Sequence, residues 1–423
     1  MASKEIKQKS NSTNLAWAVL ERGAQVLLSM LLAGLIARYF GVEAFGAYQY
    51  AMAVLFIATA VTWLCPAEAF YARINKNGEL PACVISTSIL YRLIISLVVY
   101  LSILIYILVF VGEGYKPAFV LILATALIYS EPLGIFRFLL ECQGYYHVTA
   151  RLRMAGLALK LVLVALSVFL SQSYLLVVSF LLLESVVIGL GCVVLYAKVD
   201  VGYKFNLRDF DINLAVSFFK EGAPFWVGLV AMNLFTKVDR LFMEYNLSKH
   251  DFGHYSAALS TFEQFTSIAT MMMAVLGPAL IYRVADGVVV KNLLLVAAIF
   301  FAVGVMGVGS LYFASEYLIP ILYGKEFSSA IPLFKFVIFF GPLVFVDVAL
   351  SAFMIKNRSA YFFSLKWVVV FFVAALANYF LFDRLGLRAG ATAYGIGWGV
   401  ALGFSLMYFK LWLNESKSLK VQG

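Results

Sequence analysis

Apolar runs follow one another along almost the whole chain, separated by short polar links. A bilayer core of roughly 30 Å is crossed by a helix of about 20 apolar residues. The runs predict spans at about 14–38, 46–70, 84–111, 117–140, 150–170, 174–197, 217–242, 252–281, 291–315, 327–354, 359–382 and 390–413. Helices are expected because a helix satisfies its own backbone hydrogen bonds in lipid. The ten-residue alternating segments of a membrane barrel do not occur. The fold class is therefore all-α integral membrane, with about 12 transmembrane helices.

The pattern repeats. Phe45-Gly46-Ala47-Tyr48 and Phe252-Gly253-His254-Tyr255 lie a little over two hundred residues apart, each between one apolar run and the next. The link FLLECQGYYHVTARLR (138–153) is echoed by AFMIKNRSAYFFSLK (352–366) at nearly the same offset. The repeat predicts two pseudo-symmetric six-helix bundles, 1–200 and 217–423, joined by a cytoplasmic linker at 201–216. Each bundle begins and ends on one side of the membrane, so an axis along the membrane normal relates them. Paired halves around a midplane site are a common transporter plan. In the FGxY motif, Gly is expected to permit a tight turn at the membrane edge while Phe and Tyr anchor the interface.

Composition narrows the class. Of 423 residues, 63% are hydrophobic and 13% charged, which excludes a soluble domain. Lys and Arg favour the links on the N-terminal side by roughly two to one, which predicts cytoplasmic termini. The formal charge of +9 is then an orientation signal and calls for no nucleic acid. The polar start MASKEIKQKSNSTN is not followed by a short apolar region with a cleavage site, so no signal peptide is expected. No link is long enough for a soluble catalytic domain, so an enzyme is not expected. Cys65, Cys83, Cys142 and Cys192 form no CxxC pair and read as apolar fillers. His147, His250 and His254 lack an HExxH context, and no metal site is expected.

Charges within the spans are the candidate chemistry, because ionisable groups in lipid face a cavity or a partner. Arg22, Arg92, Lys160, Lys335 and Lys366 lie well inside spans. Arg22, Arg92, Lys160 and Lys366 are expected roughly 10–15 Å from the cytoplasmic helix starts. Their common level predicts a cationic pocket open to the cytoplasm. Arg forks suit phosphate oxygens, and Lys adds a point charge. For any one of them the alternative is snorkelling or pairing.

The acids are Glu21, Glu68, Glu131, Glu184, Glu221, Asp239, Glu263 and Asp347. Glu21 abuts Arg22, but neighbours on a helix point about 100° apart and need not pair. Glu131 precedes Pro132, and a carboxylate beside a broken helix is a site for a proton or cation, or else a buried, satisfied acid at a kink. Asp239, between Lys237 and Arg240, reads as part of an exposed cluster at the outer end of the seventh span, with lining of an outer mouth as the alternative.

The ERGAQ of the first span, ARYFGVEAFGAYQYA, EGAPFW, KVDRLF with FGHYSAA, and YLIPILYGKEFSSAIPLFKF together resemble the polysaccharide or O-antigen flippase family. That family belongs to the multidrug/oligosaccharidyl-lipid/polysaccharide exporter superfamily. The likeness runs in order along nearly the whole chain. It implies a MATE-like architecture with twelve spans, unlike the fourteen-span lipid II flippases. It also implies a flippase that moves an undecaprenyl-diphosphate-linked oligosaccharide, such as an O-antigen or other surface polysaccharide unit, from the inner to the outer leaflet of a bacterial inner membrane. The glycan would pass through a hydrophilic cavity between the halves while the lipid tail stays in the bilayer.

On this resemblance Arg22, Arg92, Lys160 and Lys366 would capture the anionic head group. Glu131, Glu184 and Glu21 would exchange a proton or cation during alternating access. No P-loop is present, so a proton or sodium gradient is expected in place of ATP, with no cofactor. Expected partners are the lipid-linked glycan, membrane lipid and other membrane proteins of polysaccharide assembly. Two alternatives stand: a cation-coupled multidrug exporter of the MATE type, and a polytopic membrane enzyme of polysaccharide assembly.

Overall fold

The computed structural model describes residues 2–63, 81–111, 114–170, 173–199, 206–282, 284, 286–357 and 359–421, with side chains from Gly23 onward except at 110, 111, 199, 207, 286, 287 and 415–421. Cys65, Pro66 and Glu68, and the side chains of Glu21 and Arg22, lie outside the described residues. Among the described residues, eleven helical stretches are long and apolar enough to span a membrane. The first of them, Gly23–Thr62, carries two spans. It lies in α1 (Ala2–Thr62), which breaks at Gly41, where φ is 69° and ψ 178°. That backbone region is open essentially to glycine alone. With this break counted, the twelve expected spans are all accounted for.

Downstream, α2 (Ala82–Tyr106) runs into a π-helical turn, Ile107–Val111. Next come α3 (Tyr115–Cys142) and α4 (Tyr146–Leu170). The sixth span is discontinuous, built from α5 (Tyr174–Phe180) and α6 (Leu183–Val199) with a turn at residues 181–182. After the charged link come α7 (Ile212–Asn246), α8 (Lys249–Gly277) and α9 (Asp286–Tyr323). The tenth span combines 3-10 turns with α10 (Ile331–Val337) and α11 (Gly341–Lys356). Pro332 and Pro342 sit in the first turns of α10 and α11, where a missing N–H costs nothing. The last spans are α12 (Ala360–Leu385) and α13 (Arg388–Val421).

The chain divides into two compact units, Met1–Phe40 with Ala47–Trp226, and Gly41–Gly46 with Val227–Gly423. The first unit keeps the start of α7. Trp226 donates its indole N–H to the carbonyls of Ala60 and Val61 at 3.2 Å, and Asp211 N–H donates to Thr87 Oγ1 at 3.0 Å. Phe218 joins Ile85, Phe136, Leu139 and Tyr196 in the core of this unit. The second unit centres on an aromatic block in which Phe235 stacks on Tyr394 at 5.3 Å and packs against Trp367 and Trp398. Outward faces are apolar, as lipid contact requires. On α2, Leu97, Val98, Leu101 and Ile105 are all exposed.

The FGxY motifs differ from expectation. Neither glycine makes a turn, since both motifs are helical. The break falls five residues earlier, at Gly41, and in the second half at the Leu247-Ser248 link. There Ser248 Oγ accepts the Asp251 N–H at 3.1 Å and caps α8. Gly46 and Gly253 serve close approach instead. A Cβ on Gly46 would lie 3.2 Å from Gly253 N, and one on Gly253 would overlap the Val42 carbonyl. Gly46 thus packs against Phe252 and Gly253 within the second unit.

Candidate functional site

In the first unit, four of the seven expected site residues form two ion pairs. Arg92 comes from α2, Glu131 from α3, Lys160 from α4 and Glu184 from α6. Arg92 Nη1 donates to the main-chain carbonyl of Glu131 at 3.3 Å and lies 3.8 Å from its Oε2. Two residues earlier on α3, the Tyr129 hydroxyl pairs with Ser185 Oγ on α6 at 2.9 Å. It also reaches the carbonyl of Leu182, at the break in the sixth span, at 3.4 Å. Glu184, beside Ser185, pairs with Lys160 Nζ. Gly156, one turn before Lys160, allows the approach of α4 to α6, since an added Cβ would lie 3.4 Å from the Glu184 carbonyl.

Tyr129 and Glu131, two residues apart on α3, face different sides of that helix, so Arg92–Glu131 and Lys160–Glu184 stand as two separate ion pairs. Each pair keeps some access. Side-chain exposures are 12% and 13% for Arg92 and Glu131, and 13% and 22% for Lys160 and Glu184. Measured along their own helices at roughly 1.5 Å per residue, Arg92 and Lys160 lie about 15 Å and about 21 Å from the helix starts. Lys160 lies further from its helix start than the apolar run suggested, because α4 begins at Tyr146 rather than near 150.

At the cytoplasmic end expected for α3 and α4, Glu141 gathers Arg153 Nη2 at 3.3 Å, Arg137 Nε at 3.8 Å and the Thr149 hydroxyl at 3.3 Å. This cluster holds the FLLECQGYYHVTARLR link in place.

The second unit treats its charges differently. Lys366 Nζ on α12 donates to Asp347 Oδ1 and Oδ2 at 2.7 and 2.8 Å, to Ser351 Oγ at 2.8 Å and to Ser405 Oγ at 2.9 Å. Ser405 in turn donates to Asp347 Oδ1 at 2.7 Å. Both charged side chains are sealed, at 0% and 1% exposure. In this structure Lys366 ties α11, α12 and α13 together and presents no donor to a ligand.

A further network escaped the sequence reading. Arg240 on α7 makes a two-pronged contact with Glu263 on α8, at 2.8 and 3.0 Å, and Lys237 meets the same carboxylate at 2.7 and 2.8 Å. Tyr255 donates to Asp239 Oδ2 at 2.6 Å. Asp239 and Arg240 are buried rather than exposed at the end of a span. The signal in the sequence was Glu263, a counter-charge one helix later; the helix itself continues past 242 to Asn246. Lys335, the remaining basic residue inside a span, pairs with the exposed Glu316 at 2.7 Å over the Tyr312 ring.

Residues 12–283 match the sequence profile of a family described as polysaccharide biosynthesis protein. None of the curated protein sequences compared with the chain matches it. Among solved structures the chain is similar to the lipid II flippase MurJ in an inward closed conformation. The TM-score is 0.72 at 16% identity, over 93% of this chain and 87% of that one. It is also similar to an inward-facing multidrug resistance MATE family transporter of the MOP superfamily, with TM-score 0.67 at 16% identity over 93% and 96% of the chains. A third is a MOP superfamily transporter from Pyrococcus furiosus described as having a binding pocket of reverse polarity, with TM-score 0.65 at 17% identity over 97% and 96%. At these identities the likeness shows the fold, which MurJ and MATE transporters share with this chain.

Proposed function

The chain belongs to the polysaccharide biosynthesis protein family, and from that membership we propose that it is a flippase for polyprenyl-diphosphate-linked oligosaccharide. The proposed direction is from the inner to the outer leaflet of a bacterial inner membrane, with both termini in the cytoplasm. The observation that carries the reading is that the first unit holds two partly accessible ion pairs, Arg92 with Glu131 and Lys160 with Glu184, inside a multi-pass bundle. A guanidinium offers phosphate oxygens a two-pronged contact and an ammonium offers them a point charge. The fold shared with a lipid II flippase supports a lipid-linked cargo.

Transport by alternating access, driven by a proton or sodium gradient, completes the proposal. Arg92 and Lys160 act on the head group, and Lys366 holds the second unit together. Reconstitution of charge variants tests this division. Arg92→Gln and Lys160→Gln are expected to cut arrival of a labelled glycan-diphosphate lipid in the far leaflet at least about tenfold while the protein still folds. Full transport in both variants would remove the head-group role.

A further inference from the structure

The helix of the second span stops in the middle of the membrane. Thr62 is its last residue, and the Trp63 N–H reaches back only to the Ala60 carbonyl, at 3.3 Å. The last turn of a helix leaves carbonyls without helical partners. Two of them, on Ala60 and Val61, are capped by the Trp226 indole at 3.2 Å. Counted from Ala47, this end lies about 24 Å along the span. Glu131 lies about 24 Å along α3 from Tyr115 and about 16 Å from Cys142, so the two residues share a level near the bilayer centre. They meet there, because the Trp63 indole N–H hydrogen-bonds to the Glu131 carboxylate. Arg92 approaches the same residue from α2.

This is not the usual place of a membrane tryptophan. Those residues sit at the headgroup level, with the ring in lipid and the N–H toward water. Trp63 gives its N–H to a carboxylate deep in the bundle, yet the residue is 41% exposed. Non-helical backbone at membrane depth occurs only where it is buried in protein or lines a water-filled space. Trp63 is not buried, so its exposed surface faces water rather than lipid. With the N–H engaged, that surface is the apolar ring.

An aromatic ring beside an oriented carboxylate is the chemistry that takes a sugar. A pyranose has an apolar face of C–H groups, which lies on the negative face of a ring. Its rim of hydroxyls donates to a carboxylate. Trp63 and Arg92 hold Glu131 in place, and its carboxylate has lone pairs for a further donor. Arg92 also offsets its charge, which favours a neutral hydroxylated ring over an organic cation.

We infer that Trp63 and Glu131 form a sugar-stacking subsite, with Trp63 as the platform and Glu131 as the hydroxyl acceptor. The inference rests on the transport reading, in which the first sugar of the cargo follows directly on the diphosphate that meets Arg92. The probes are the methyl glycosides of glucose, galactose and N-acetylglucosamine. They are offered to the full-length protein in neutral-lipid nanodiscs and read by saturation-transfer NMR against empty nanodiscs. The wild-type protein is expected to saturate ring protons on one face of at least one glycoside. Trp63→Ala should lose that signal about fivefold or more, while Trp63→Phe keeps a ring and should retain at least about half. Glu131→Gln should lower it about threefold. Trp63→Leu, which fills space without a ring, takes the place of Trp63→Ala if that variant does not fold.

No saturation of any glycoside by the wild-type protein would overturn the inference. So would an unchanged signal in the ringless variants; joined to a lowered melting temperature, that result would make Trp63 a structural anchor. Saturation that depends on Trp63 in a protein that flips no lipid would leave the inference standing and remove the transport reading. Flipping without sugar saturation would do the reverse.

Discussion

Lys366 shows how much a single partner decides. A lysine six residues into an apolar helix reads as a pocket cation, but Asp347, Ser351 and Ser405 take all its donors. Removing one partner of such a sealed pair leaves an uncompensated charge and costs about 3–5 kcal/mol. Asp347→Ala is therefore expected to lower the melting temperature sharply in detergent. The double variant Lys366→Met, Asp347→Leu should recover most of the loss, because an apolar pair of similar volume needs no compensation. Equal instability of the single and double variants would count against the pin.

The charged residues themselves were legible, since Arg92, Lys160, Glu131 and Glu184 stand out in apolar runs. Their pairing was not. It depends on α2 lying against α3 and on α4 lying against α6, with the paired residues 39 and 24 positions apart along the chain, and one sequence carries no record of those contacts. Asp239 and Arg240 were misplaced for a related reason. The apolar run fades before the helix ends, so two buried charges looked terminal.

At the scale of elements, the apolar runs located all twelve spans but not their internal breaks. The sixth span breaks within Leu181, Leu182 and Leu183, three identical letters that say nothing about a turn. Gly41 and the FGxY glycines illustrate two uses of one residue type that the sequence does not separate. Gly41 is needed for its positive φ, so Gly41→Ala is expected to cost about 1–3 kcal/mol in backbone strain. Gly253 is helical and needed for space, so Gly253→Ala forces its Cβ onto the Val42 carbonyl and should destabilise as well. Gly399 has open space around its Cβ position. There Ala should be neutral or stabilising by up to about 1 kcal/mol, through helix propensity. Thermal melting of the three alanine variants checks the order, and a harmless Gly253→Ala would contradict the close approach.

At the scale of the molecule, the excess of Lys and Arg in alternate links sets an orientation. In a background without native cysteines, Ser248→Cys at the α7–α8 link should react with an impermeant thiol reagent added outside intact cells. His147→Cys, at the α3–α4 link, should react only after permeabilisation. The reverse labelling would invert the proposed topology.

The central claim is that this bundle moves a diphosphate-linked glycan across the membrane, and a leaflet assay reaches it most directly. Purified protein is placed in vesicles with a polyprenyl-diphosphate glycan labelled in one leaflet, and an outer-side reagent reports arrival with and without a proton or sodium gradient. The account predicts protein-dependent arrival that a gradient accelerates. No arrival with several glycans, together with uptake of a cationic dye by the same vesicles, would contradict it and assign the chain to drug export.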